Sequence, residues 1–372
     1  MISVFQPKIY FRDFVSVFKH LLKGNISGTS PVISEFENEF ASRFNRKYAV
    51  AVSNGSVALD LSLQALNLEN DDEVILPSLT IVSVLSAVLR TKAKPIFVDV
   101  EIDTWNTSFK KIKEQINEKT KAIIIVHTYG LSVDIANLKE FCKDKKIQII
   151  EDAAEAHGQK YNSEYCGQIG DISTFSLYAN KHVTSGEGGM LLTDNKDYYE
   201  LFIKMRNLDF NNKKRFFHEH MYWNYRMSGL QAALGISQLK NMDKTISKKI
   251  KQGEKYLQLL DSYKNLIQLP LKATPYCENH FWVFGIVLKG YSKNQTEQVA
   301  DELMKFNIQT RPFFWPLHKQ KFLSKDFFPE NELENTDKLS SSGIYLPMGN
   351  HINSKTQKFI VDKLIYVLKN VN

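Results

Sequence analysis

Between residues 47 and 152, short apolar segments alternate with helix-like ones, and this alternation constrains the fold more than any other feature of the chain. KYAVAVS (47–53), EVILP (73–77), PIFVDV (95–100), AIIIVHT (122–128) and IQIIED (147–152) all read as strands. After the first of them Leu59, Leu63 and Leu66 fall at i, i+4 and i+7, one face of a helix, and further helix-like runs lie at Val82–Leu89 and near 109–118. Short strands separated by helices of about 10–15 residues belong to a mainly parallel sheet covered on both faces. Such sheets bind ligands beyond the carboxyl ends of their strands, where Ser53–Ser56, His127 and Asp152 fall.

The second half reads differently. From Met227 the spacing predicts one long helix running to about Leu260, with Leu230, Ala233, Leu234, Leu239 and Met242 on its buried stripe. After Pro270 come a strand (FWVFGIVL, 281–288), a helix (295–306), a strand-like QTRPFF and a final helix from about Lys355. We therefore expect an α/β protein in two parts: a large domain over 1–245 with the mainly parallel sheet, and a smaller α+β domain over 246–372.

Composition removes several classes. Forty-eight Lys and Arg against 41 Asp and Glu give a net charge of +7, but the basic residues are scattered. Clusters such as Lys248, Lys249 and Lys251 lie in a helix-like stretch without an aromatic platform, so no nucleic-acid partner is expected. No run approaches the roughly 20 apolar residues of a membrane span, and MISVFQPKIYFRDF carries charges where a signal peptide is apolar. Cys142, Cys166 and Cys277 are odd in number and far apart, which offers neither a disulfide framework nor a CxxC site. A cytoplasmic protein with no membrane partner is the expectation.

STFSLYANKHVTSGEGGMLL (173–192) carries the chemistry. Lys181 follows an apolar strand and precedes Gly186-Glu187-Gly188-Gly189, whose glycines permit close backbone approach to a ligand. A lysine desolvated at a strand end loses its proton readily, as an imine-forming amine must. Ser176, five residues before it, offers a hydroxyl to an anion. Asp152 ends IQIIED; alone it reads more often as a turn or helix cap, but paired with an imine-forming lysine a buried carboxylate is what the ring nitrogen of pyridoxal phosphate (PLP) requires to stay protonated. Ser53-Asn54-Gly55-Ser56 lies between a strand and a helix, where backbone amides bind phosphate; an ordinary helix cap is the equal alternative.

With these residues in place, the sequence resembles the sugar aminotransferases of the DegT/DnrJ/EryC1/StrS type, which use PLP on the fold-type-I scaffold. The resemblance runs from about Ile26 to the C-terminus through SNGSVALDLSLQAL, DEVILPSLT, PIFVDVE, TKAIIIVHTYG, IIEDAAEAHG, STFSLYANKHVTSGEGGM and NYRMSGLQAALGISQL. It implies that Lys181 carries the cofactor as a Schiff base, that Asp152 pairs with the pyridine nitrogen, and that Gly55, Ser56 and Ser176 hold the phosphate. Glu155, in DAAEAHG, stands among the cofactor residues where many relatives have Gln or His. Ile81 stands where relatives commonly place an aromatic side chain on the cofactor ring. Asn224 is implied to reach the phosphate of a partner subunit, making a homodimer with shared sites.

The resemblance implies an aminotransferase that turns a nucleotide-linked 4-keto-6-deoxy sugar into the 4-amino sugar, with L-glutamate as donor and pyridoxamine phosphate as the intermediate cofactor form. The segments KRFFHEHMYWNYRM (214–227) and TRPFFWPLH (310–318) share in it, and Arg311 and His318 are candidate substrate contacts, a structural turn being the equal alternative. A UDP- or dTDP-sugar 3- or 4-aminotransferase would keep every cofactor residue, so it stays open; so does a nonenzymatic regulator or nucleic-acid binder. Related sugar dehydratases carry histidine in place of the lysine. His218-Glu219-His220 has no third ligand motif, and no metal is expected.

Overall fold

The computed structural model describes residues 1–210 and 216–371. In chain order the first part comprises α1 (Phe11–Leu22), α2 (Pro31–Arg43), β1 (Tyr48–Val52), α3 (Gly55–Gln64), β2 (Glu73–Pro77), α4 (Val82–Leu89), β3 (Lys94–Val98), α5 (Phe109–Gln115), β4 (Thr120–Val126) and α6 (Ala136–Lys145). It continues with β5 (Gln148–Asp152), a hairpin of β6 (Lys160–Tyr161) and β7 (Glu164–Tyr165), β8 (Ile172–Ser176), β9 (Gly189–Thr193), α7 (Lys196–Arg206) and α8 (Gly229–Leu239). One seven-stranded sheet runs β1-β9-β8-β5-β4-β2-β3. β3, β2, β4, β5 and β8 are parallel, and β9 is antiparallel to both of its neighbours. The five expected strands are β1 to β5, displaced by two residues at most. Their apolar side chains stay buried because helices cover both faces: Val74 and Leu76 of β2 pack in one cluster, Ile75 in another.

The expected single helix from Met227 is instead two, α8 and α9 (Met242–Leu260). The break falls at Lys240 and the buried Asn241, whose Nδ2 donates to the carbonyl of Ser237 at 3.2 Å. The turn lets one chain serve two cores: Ala232, Ala233, Ile236, Met242 and Ile246 pack against α2 and the large sheet, while Tyr256 and Leu260 enter the core of the second sheet. That sheet holds β10 (Ile267–Gln268), β13 (Phe284–Leu288), β14 (Arg311–Pro312) and β15 (Gly343–Leu346) in the order β10-β13-β15-β14, all antiparallel; β11 (Ala273–Thr274) and β12 (Cys277–Glu278) form a separate hairpin. Helices α10 (Lys293–Lys305), α11 (Glu334–Ser342) and α12 (Ser354–Asn370) complete this part.

The expected division at 245/246 therefore falls inside α9, and we propose this helix as the join between the parts. The first residues sit with the second part, since Ile2 bridges to Ile308 and the amide of Met348 donates to the carbonyl of Val4 at 3.0 Å.

Candidate active site

A cavity of about 660 Å³ opens beyond the carboxyl ends of β1, β5 and β8. Gly55, Ser56, Asp152 and Ser176 line it from the strand ends and the turns after them, Glu155 and Lys181 from the loops that follow, and Ile81 and Arg311 also face it.

Asp152 is the last residue of β5 and is only 2% exposed. Its Oδ1 accepts the amide of Ala154 at 3.0 Å, while its second oxygen takes no hydrogen bond from any described residue. Burial raises its pKa, opposed by the Ala154 amide and the charge of Lys181. A carboxylate held this way lacks a cationic partner of its own, and a protonated ring nitrogen in the cavity would supply one.

Lys181 sits in the turn after β8, its amide donating to the carbonyl of Tyr178 at 3.0 Å. The side chain is nearly enclosed, with Nζ 3.8 Å from Glu155 Oε1. Burial lowers the amine's pKa against the opposing charges of Glu155 and Asp152. Burial likewise pushes Glu155 up to about 7, against the pull of Lys181 and of the Tyr129 amide, which donates to Oε2 at 2.8 Å.

Helix α3 supplies an anion seat. The first-turn amides of a helix have no intrahelical acceptor. Asn54 Oδ1 takes that of Val57 at 2.9 Å, which leaves the amides of Gly55 and Ser56 at the cavity wall. Ser56 Oγ lies 2.6 Å from Ser83 Oγ, and Ser176 Oγ accepts the amide of Tyr178 at 3.3 Å. Two glycines permit this packing: a Cβ on Gly55 would come within 2.8 Å of Ser176 Cβ, and one on Gly189 within 2.3 Å of the Asn54 carbonyl oxygen. An anion seat, a carboxylate on the cavity wall with one oxygen unbonded by any described residue, and an amine of lowered pKa in one cavity fit the phosphate, ring nitrogen and aldehyde of PLP.

Other expected contacts lie elsewhere. His318 does not reach the cavity; the short turn Leu317–Lys319 buries it against the end of β2, with Nδ1 2.7 Å from Ser78 Oγ and Nε2 3.4 Å from Asp337 Oδ1. Asn224 is exposed, pairs through its backbone with Asn207, and lies outside the cavity wall of its own chain. Of the segment 214–227, residues 214 and 215 lie outside the described residues. His218 and His220 engage separate partners, Leu208 O at 2.6 Å and Asp209 Oδ2 at 3.0 Å.

Sequence reasoning missed Trp282, Phe314 and Tyr345, which bring aromatic surface to the cavity from the second part of the chain. FWVFGIVL reads as one strand, but β13 begins only at Phe284, and Phe281 takes a left-handed φ of 49°. No local signal marks the indole that this bend turns toward Lys181. Reading by spacing also missed a buried group, His127, Glu151 and Cys166. Glu151 is saturated: its oxygens accept from His127 Nε2 at 2.9 Å, the amides of Gly167, Ile169 and Gly170, and Ser173 Oγ. The amide of Val133 donates to His127 Nδ1 at 3.1 Å, so the imidazole proton lies on Nε2 and points at Glu151.

The chain has the fold of the type I PLP-dependent transferases, a mainly parallel α/β sheet with a cavity at its strand ends. A Streptococcus pneumoniae protein solved with PLP superposes with a TM-score of 0.92 at 22% identity, covering 100% of this chain and 99% of that one. GDP-perosamine synthase of Escherichia coli O157:H7 is 34% identical over 371 residues, 100% of this chain and 98% of the relative. GDP-perosamine synthase of Vibrio cholerae is 35% identical, covering 93% and 94%. Residues 11–365 match the DegT/DnrJ/EryC1/StrS aminotransferase family, and the chain belongs to it. It is an aminotransferase with PLP as cofactor.

Proposed function

We propose that the enzyme aminates the 4-keto group of a nucleotide-linked 4-keto-6-deoxy sugar, converting GDP-4-keto-6-deoxymannose to GDP-perosamine with L-glutamate as donor. The observation that carries the chemistry is the meeting of Lys181, Asp152 and the first turn of α3 in one cavity. The choice of sugar rests on the similarity to the perosamine synthases over nearly the whole chain.

PLP, when bound, supplies an electron-withdrawing ring and a carbon that accepts and returns the amino group. Lys181 Nζ is the covalent anchor. With PLP bound, the same atom would carry the proton between donor and cofactor carbons, and burial shifts its pKa downward, the direction that role needs. The free oxygen of Asp152 holds the proton on the ring nitrogen. The amides of Gly55 and Ser56, with the hydroxyls of Ser56 and Ser176, hold the phosphate. Ile81 offers an aliphatic surface to the ring, Glu155 faces the amine, and Arg311, at the wall beside Phe314 and Tyr345, is a cation for the anionic part of either substrate.

We place the enzyme in the cytoplasm as a homodimer. Three free, buried cysteines suit a reducing compartment, and no helix among the described residues is long and apolar enough to cross a membrane. Helix α1 turns its polar side inward, burying Asp13 and His20, while Phe11, Phe14, Phe18 and Leu22 face outward. Its end adjoins the start of α8, where the amide of Gly229 donates to the carbonyl of Ile26 at 3.0 Å. The loop carrying Asn224 exposes Phe216, Phe217 and Met221 as well. A second copy of the chain laid on these surfaces removes that apolar area from water and brings Asn224 to its neighbour's phosphate.

Purified enzyme loaded with PLP, offered glutamate and a panel of GDP-, UDP- and dTDP-linked keto sugars, tests the reading; turnover of a UDP- or dTDP-sugar and not the GDP-sugar overturns the choice of nucleotide. Borohydride reduction followed by peptide mapping should trap the cofactor on Lys181, and trapping on another lysine overturns that assignment.

A further inference from the structure

Trp282 enters the cavity from the lead-in to β13, and its indole ring centroid lies 4.0 Å from Lys181 Nζ. The residue is buried and held from four directions. Its Nε1 donates to the carbonyl of Asn180, the residue before Lys181, at 3.0 Å. Its own carbonyl accepts from Lys249 Nζ at 3.0 Å. Its backbone presses on the loop after β4, where a Cβ on Gly130 would come within 2.7 Å of the Trp282 nitrogen. Its ring lies 15° from the plane of Tyr129, whose amide binds Glu155. One indole thus touches the amine, fixes the main chain preceding it, and backs the residue that holds the facing carboxylate.

We propose that Trp282 is a positioning residue for the Lys181 amine, seating it in its charged form on the indole face and fixing the Asn180 carbonyl beside it. The proposal rests on the reading of Lys181 as the group that bonds the cofactor. In that chemistry the amine is released and recaptured in each half-reaction, and a lysine free on its four-carbon stem has many rotamers to lose. Glu155 at 3.8 Å is too distant for a tight hydrogen bond. A π face attracts a cation over a broader geometry, and most strongly where water is excluded. The indole therefore keeps the released amine close and favours its charged form, opposing the effect of burial. The titratable and charged groups around the amine are Glu155, Asp152 and His157 from β5 and its following loop, His182 next in the chain, Tyr129 after β4, Arg311 and Tyr345 of the second sheet, and Lys249 of α9. Replacing the ring removes none of these groups.

The test is made on full-length protein freed of cofactor, with cyanate as the probe. Carbamylation of Lys181, followed by peptide mass spectrometry across pH, reports the fraction of free base. Trp282→Leu should lower its midpoint by roughly 0.5–1.5 pH units, the range of a partly desolvated cation–π contact. Trp282→Phe, which keeps a ring but not the N–H, should shift it less in the same direction, and it carries the test if the leucine variant does not fold. In the loaded enzyme the pH midpoint of the cofactor's visible band should fall likewise. A folded Trp282→Leu protein that labels with the parent midpoint overturns the proposal, as does a Phe variant that shifts as far as the Leu variant. Borohydride trapping is read separately, so failure of the Lys181 assignment is distinguishable from failure of this one.

Discussion

Glu155 Oε1 and Lys181 Nζ face each other at 3.8 Å inside the cavity, with the other oxygen of Glu155 tied to the Tyr129 amide. Burial opposes charge on both groups, raising the acid to about 7 and lowering the amine. The two groups are coupled, and their apparent midpoints belong to both residues together.

Glu155→Gln should move the acid limb of the rate–pH profile to lower pH. Without the carboxylate, burial acts on Lys181 with less opposition, so the free base persists into more acidic solution. Stability should shift too. The folded state holds the Glu155 proton more tightly than the unfolded chain, a contribution present below the ordinary value of 4.5 and lost as pH rises through about 7. Relative to the parent, the variant should gain stability across that window. Single-turnover rates with glutamate and denaturant titrations from pH 4 to 8 check both, and an unmoved acid limb removes Glu155 from control of the amine.

A second buried carboxylate shifts the opposite way. Burial alone would raise Glu151, but the hydrogen bond from His127 and the amides of Gly167 and Gly170 bring it down to about 2. Its stabilisation is therefore present above about 4.5 and lost as pH falls toward 2. Glu151→Gln presents one acceptor oxygen where the carboxylate presents two, and should cost about 2–4 kcal/mol at neutral pH. Its stability should depend less on pH below 4.5 than the parent's. Chemical unfolding at pH 3 and 7 measures both.

How much of this was legible follows the length scale of each signal. The parallel strands and the residues at their carboxyl ends could be read because periodicity and turn chemistry are local. Asp152 and Ser176 end strands, and Gly55 and Ser56 begin a helix, so each position carries its own mark. Trp282 and His318 show the limit. Both are polar-edged residues in apolar segments, and only packing between the two parts of the chain turns one into the cavity and the other onto Ser78. The break between α8 and α9 was hidden similarly, since an apolar stripe continues across it and only the demands of two cores require the turn.

Gly55→Ala should weaken cofactor retention more than it weakens the fold. The new methyl group meets Ser176 Cβ at 2.8 Å and Ser176 Cα at 3.1 Å, atoms with little freedom, so the first turn of α3 must move away from β8. The amides and hydroxyls then no longer converge on one anion. Equilibrium dialysis should show about a tenfold or greater loss of PLP affinity, equivalent to about 1.4 kcal/mol. Unchanged affinity would remove the α3–Ser176 junction from the phosphate seat.

The shared-site reading makes the most restrictive prediction, because Asn224 lies outside the cavity of its own chain. If it completes the neighbour's site, Lys181→Ala and Asn224→Ala proteins are each nearly inactive, but a heterodimer contains one site with both residues intact. Unfolding the two together at equal concentration and refolding them makes about half of all dimers mixed when subunits assort freely, with one of two sites restored in each. The expected recovery is therefore roughly a quarter of parental activity. Asn224→Ala must first be shown to be crippled alone; full activity there removes it from the phosphate. No recovery, with heterodimers demonstrated by mass, places both residues in one chain's site, and the outward-facing Phe11, Phe14 and Phe18 of α1 then need another partner.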